Sequence, residues 1–102
     1  MKATGWQGGP ASTTGAGYGI RVSLSDRDAY FDRKWCSVRL GIGGRETIVR
    51  ISSSFWNRCS ELRSKEIGAY MIANGLAPWP KGDPPQFELV PEGEAAFRLE
   101  TA

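Results

Sequence analysis

Arg21, Arg39 and Arg50 stand on the polar phase of three alternating segments, and Arg45 follows a Gly43-Gly44 pair that joins two of them. Guanidiniums gathered on one sheet face would grip phosphates. With exposed rings such as Tyr18 or Tyr30 beside them, and Arg33-Lys34 extending the patch, they would suit a single strand of nucleic acid. A different chemistry comes from Trp56, Trp79, Pro80 and Tyr30. Aromatic rings framed by prolines can line a groove for an apolar ligand or a peptide. Asp26, Asp28 and Asp32 offer three carboxylates to a hard cation. Their spacing lacks the glycine and the terminal glutamate of a calcium loop, and Arg27, Arg33 and Lys34 are ready partners for them. Glu61 and Glu66 form a carboxylate pair, both expected on the solvent faces of helices.

Several reaction classes lose their usual residues. The chain has no histidine, which removes the commonest general base and the commonest zinc ligand. No serine has a recognisable base. Gly15-Ala16-Gly17-Tyr18-Gly19 precedes a strand instead of opening a helix, so it does not meet the context of a dinucleotide fingerprint. Cys36 and Cys59 are isolated and are expected to be buried, reduced thiols. The expectation is therefore no enzyme, no cofactor and no metal. The leading reading is a non-enzymatic binding or interaction module using the aromatic and proline-framed surface of Trp56, Trp79, Pro80 and Tyr30. Its partner would be an unknown protein or a small apolar ligand, with a homodimer as a further option. Nucleic-acid binding through Arg21, Arg39, Arg50 and Arg45 ranks second.

Charge is unevenly distributed. The net charge is only +2, but Ile20 to Lys65 holds ten basic and five acidic residues (+5), and Glu66 to Ala102 holds two basic and six acidic (−4). The simpler expectation is that the two halves pair across the fold. The functional alternative is a basic face for an acidic partner. No run approaches the ~20 apolar residues of a membrane span, and no secretory signal pattern is present, so a cytoplasmic protein is expected.

The elements that must position these residues follow from periodicity. With 102 residues the chain supports one domain. Residues 1–17, rich in Gly, Ala, Ser and Thr, read as a flexible lead-in on which only Trp6 docks. Residues 18–102 read as the domain. Tyr18 to Leu24 alternates as a strand. Ser25-Asp26 can cap a short helix that presses Tyr30, Phe31 and Trp35 onto the core. Val38, Leu40 and Ile42 then pair with Glu46 to Ser52 about Gly43-Gly44, a primed-turn signal that sets Val38 opposite Val49 and Leu40 opposite Thr47. Phe55, Trp56, Cys59 and Leu62, then Ile67, Tyr70 and Met71, read as a helical segment over 53–75 that breaks near Arg63-Ser64. Gly75 and Leu76 end it as a Schellman motif. Residues 76–85, with four prolines and Trp79, form a stiff strap. A last hairpin about Gly93 would pair Leu89 with Phe97, Phe87 with Leu99 and Glu88 with Arg98. The fold class is α+β. About five mainly antiparallel strands form a curved sheet or small open barrel, with the 53–75 helical segment packed on it.

Six segments carry a resemblance. They are Gly17-Tyr18-Gly19-Ile20-Arg21, Asp26-Arg27-Asp28-Ala29-Tyr30-Phe31, Ser54-Phe55-Trp56, Cys59-Ser60-Glu61-Leu62-Arg63-Ser64, Gly75-Leu76-Ala77-Pro78-Trp79-Pro80-Lys81-Gly82 and Phe97-Arg98-Leu99. Together they resemble small bacterial proteins encoded by mobile gene cassettes of the integron type. The resemblance spans most of Tyr18 to Leu99, and it implies no activity and no catalytic residues.

Overall fold

Alternating inward residues build a sheet that curls until its two edges approach each other. The computed structural model describes all residues, Met1–Ala102. In chain order the elements are β1 (Lys2–Gln7), β2 (Tyr18–Val22), α1 (Leu24–Tyr30), β3 (Ser37–Ile42), β4 (Arg45–Arg50), a 3-10 turn (Ser53–Trp56), β5 (Glu61–Arg63), α2 (Lys65–Ala73), β6 (Gln86–Gly93) and β7 (Ala96–Thr101). The seven strands form one sheet in the order β4-β3-β7-β6-β1-β2-β5. Every pairing is antiparallel except β3 with β7. Edge strands β4 and β5 come close together, so the sheet is a nearly closed barrel. Ile20, Leu40, Leu62 and Leu89 fill it, and Ile67 and Met71 of α2 are fully buried with them. Burying such side chains is worth about 1.5–3 kcal/mol each. The α+β class holds, with seven strands in place of about five.

The two added strands correct the sequence reading. Lys2–Gln7 belongs to no lead-in: β1 pairs with β2 on one side and β6 on the other. Its inward residues are Ala3 and Gly5, too small to give an apolar period. Gly5 is bare because the strap occupies the space beneath it. A Cβ on Gly5 would lie 2.7 Å from Pro85 Cγ and 3.4 Å from the Trp79 ring. The Gly5 N–H also donates to the Pro85 carbonyl at 2.8 Å. The second correction is β5. The helical segment does not run through 53–63: a single 3-10 turn ends at Trp56, and Glu61–Arg63 pairs with β2.

Hairpin registers differ in how they turned out. β3–β4 pairs Val38 with Val49 and Leu40 with Thr47 about Gly43-Gly44, as the turn signal requires. In β6–β7 the register is displaced by two residues: Leu89 faces Leu99, Phe87 faces Thr101 and Glu88 faces Glu100. The chain turns at Glu94-Ala95, where Ala95 has φ 52°, and a bulge lies between Pro91 and Gly93. A shift of two keeps every side chain on its expected face. α2 starts and stops where expected. Ser64 accepts from the Glu66 N–H, and the Leu76 and Gly75 N–H groups donate to the Met71 and Ile72 carbonyls, which completes the Schellman motif.

Candidate functional site

Trp79 packs its ring 5.6 Å from that of Tyr18 and close to Gly5. Ala77, beside it in the strap, is buried. Trp79 is therefore half-buried as part of a clamp, and Pro80 lies exposed next to it. Trp56 sits elsewhere. Its ring meets Phe55 edge-on at 5.3 Å and lies under two guanidiniums, Arg33 at 4.6 Å and Arg27 at 5.3 Å. Arg27 is the one buried residue of α1. It donates to the Phe55 and Asn57 carbonyls at 3.0 and 2.6 Å and to Asp28 at 3.0 Å, tying α1 to the 3-10 turn. Phe31 is buried and Trp35 half-buried, but Tyr30 points outward, 47% exposed. Trp56, Trp79, Pro80 and Tyr30 share no cavity. The expected aromatic and proline-framed groove is not assembled, because both tryptophans already have packing partners.

Arginines divide differently. Arg39 and Arg50 point outward as diagonal neighbours of the β3–β4 ladder, Arg39 opposite Ile48 and Arg50 opposite Ser37. Neither has a carboxylate within ion-pair distance. Ile48, between them, is 60% exposed. Arg21 does not join them through the sheet, since β7, β6 and β1 separate β3 from β2. It reaches their neighbourhood only across the seam where β4 approaches β5. There Glu61 is held between Arg21 at 3.3 Å and Arg63 at 3.2 Å, with its carboxylate side chain 1% exposed. The expected solvent-facing position of Glu61 is thus reversed. Glu66 is exposed, as expected. Arg63 also covers the Trp6 ring at 4.7 Å. This works because Gly19, between Trp6 and Arg63 across the sheet, has no side chain. Arg45 lies at the hairpin tip, near α2.

The charged halves do not neutralise each other. Arg21, Arg63 and Arg27 pair with Glu61 and Asp28 from their own half, and Arg98 pairs with Glu92 and Glu100 from its own. Glu100, by hydrogen bond and charge, and then Glu92 raise the Arg98 guanidinium above its ordinary pKa. The single remaining pair joins the Met1 amine to Glu88 at 3.4 Å. Glu88, Glu92 and Glu100 mark the β6–β7 wall as acidic. The basic strands lie at the two sheet ends that meet at the seam. The acidic β6–β7 hairpin therefore borders the basic β3–β4 hairpin along the β3–β7 pairing.

Remaining candidates scatter. Asp28 serves Arg27, and Asp32 accepts from the Lys34 N–H at 2.8 Å. The three aspartates form no metal-holding group. Cys36 and Cys59 are free and exposed, against the expectation of burial. Tyr18, named as an exposed stacking ring, is 1% exposed and its hydroxyl has no hydrogen-bond partner. No helix is long and apolar enough to cross a membrane.

No protein-family model matches the chain, and neither a curated protein nor a solved structure resembles it significantly.

Trp6 docks as expected, under Arg63, a residue given no role by periodicity; what periodicity misplaced is the strand that holds Glu61 and Arg63. The signal for the last two was the alternation Ser60-Glu61-Leu62-Arg63, which reads as a short strand once Leu62 is placed inward.

Proposed function

We propose that this protein is a non-enzymatic binding module whose contact surface is the basic wall at the seam, and that its partner is single-stranded nucleic acid. One observation carries the reading: Arg39 and Arg50 lie together on an exposed sheet face without acidic partners, with Ile48 open between them. Unpaired guanidiniums can exchange counterions for phosphates. The exposed Ile48 side chain among them offers a base an apolar contact that removes both from water. The face carries Glu46 at its far end, which limits it to a short footprint. The acidic β6–β7 hairpin, next to β3 in the sheet, would repel a polyanion and bounds the basic face on that edge. Glu61 fits the non-enzymatic part, because both of its carboxylate oxygens are engaged by Arg21 and Arg63 and its side chain is buried. The reading places the protein in the cytoplasm, where its exposed thiols stay reduced.

The test is fluorescence anisotropy of a labelled single-stranded oligonucleotide across a salt series. Affinity should fall with salt, log K changing by about −0.7 per log unit for each phosphate contacted. The double substitution Arg39→Glu and Arg50→Glu should weaken binding at least tenfold, on the order of 1.4 kcal/mol. Arg98→Ala, on the acidic wall, should leave it unchanged. Absence of any anisotropy change at low salt ends the reading.

Leu24 and Tyr30 of α1, 46% and 47% exposed, favour a second reading in which a protein partner or a second copy covers α1. Light scattering that reports a monomer, together with unchanged mass for Tyr30→Ser, would remove the homodimer.

A further inference from the structure

A groove of about 540 Å³ separates the tip of the β3–β4 hairpin from α2. It adjoins the basic face at Glu46 and contains neither Arg39 nor Arg50. Gly43 and Gly44 create it: both have positive φ, 55° and 82°, and they set the tip over the helix. A Cβ at Gly43 would stand 3.3 Å from the Tyr70 ring, so the turn rests on that ring. Ala69 and Ala73, one helical turn apart, leave the floor open where longer side chains would close it. Ile42 completes an apolar floor.

Three charges surround this floor: Arg45, Glu46 and Glu66. None of them forms an ion pair, with each other or with any other residue. Apart from a 3.5 Å hydrogen bond that the Glu66 carboxylate accepts from the Ser64 hydroxyl, a guanidinium and two carboxylates thus remain without ionic partners around one small apolar cleft. Its volume lies within the roughly 300–1,000 Å³ of small-molecule sites, which combine an apolar lining with a few convergent polar groups. A purely anionic ligand would meet two carboxylates, and an amine alone would meet Arg45. A molecule bearing both charges on one carbon, with an apolar tail, complements all three.

We propose that this groove binds a zwitterionic α-amino acid with a large apolar side chain. Its carboxylate pairs with Arg45, its ammonium with Glu46 and Glu66, and its side chain lies over Ala69 and Ala73 against Tyr70. The proposal is independent of nucleic-acid binding.

The test is a titration followed by amide ¹⁵N–¹H spectra, with L-phenylalanine as the probe and phenethylamine and 3-phenylpropionate as its two half-charged analogues. L-Phenylalanine should give saturable shifts confined to the amides of Gly43, Gly44, Thr47, Ala69 and Tyr70. Each analogue should bind at least about tenfold more weakly. Arg45→Ala should weaken L-phenylalanine but not phenethylamine, and Glu46→Gln with Glu66→Gln should weaken it but not 3-phenylpropionate. Ala69→Leu should abolish binding by filling the floor, with amides elsewhere unmoved as evidence of an intact fold. No saturable shift with L-phenylalanine, or equal binding of either analogue, overturns the proposal.

Discussion

The proline strap and the outer face of β3–β4 put apolar side chains to opposite uses. In the strap, Trp79 and Pro85 fill the space that Gly5 leaves empty, and Trp79 lies against Tyr18. On the hairpin, Ile48 stands in solvent between two unpaired arginines. By residue type the strap is the more conspicuous, with four prolines and a tryptophan in ten residues. By geometry it is the more committed. A ring whose neighbours are shaped to receive it is structural, whereas a modest side chain that nothing receives is available for contact. Residue type alone does not separate the two.

Three substitutions test this contrast. The largest effect is expected for Trp79→Ala. Truncating a packed aromatic costs about 3–5 kcal/mol, and the partial exposure of this ring places it at the lower end. Urea unfolding monitored by far-ultraviolet dichroism measures it; a loss under about 1 kcal/mol, the range of an ordinary surface change, would mean the strap clamps nothing. Tyr18→Phe comes next, with the opposite sign. It removes a buried hydroxyl without a partner, so stability should rise by about 1 kcal/mol. A fall would reveal a hydrogen bond to the hydroxyl and would sharpen where the strap ends and the core begins. Ile48→Thr should be smallest, within about 0.5 kcal/mol of the parent in unfolding, while lowering oligonucleotide affinity. If Ile48→Thr destabilised the protein as much as Trp79→Ala, the contrast would collapse.

What the sequence made legible depended on whether local chemistry pinned geometry. Gly43-Gly44 admits few turns, so the β3–β4 register could be read pair by pair. The start of α2 at Ser64 and its end at Gly75 were similarly readable, because each depends on side chains or φ values within a few residues. The β6–β7 register was not, since Gly93 drew attention from the real turn at Glu94-Ala95. Its faces survived because the slip was even. β1 was invisible because the reason for its bare Gly5 lies eighty residues away, at Pro85 in the strap. β5 was hidden by a coincidence: Phe55, Trp56, Cys59 and Leu62 have helical spacing, yet Arg27 holds the Phe55 and Asn57 carbonyls and the chain then extends. The candidate site failed for the same reason as β1. Whether Trp56 and Trp79 were free depended on Arg27, Arg33, Gly5 and Tyr18, none of which is a sequence neighbour.

Strand β6 has an unusual pair of neighbours, β1 and β7, the first and last strands of the sheet-forming sequence. The Met1 amine donates to the Leu89 carbonyl on one side of it, and the Ala102 N–H donates to the Gln86 carbonyl on the other. The β1–β6 pairing closes a loop of most of the chain and carries a large loop-closure entropy before any contact repays it, whereas β6–β7 closes as a local hairpin. β6 is therefore a keystone in time as well as in space. Neither half of the barrel can lock before β6 is in place, and folding should proceed as one late, concerted event rather than as a wave that follows the chain.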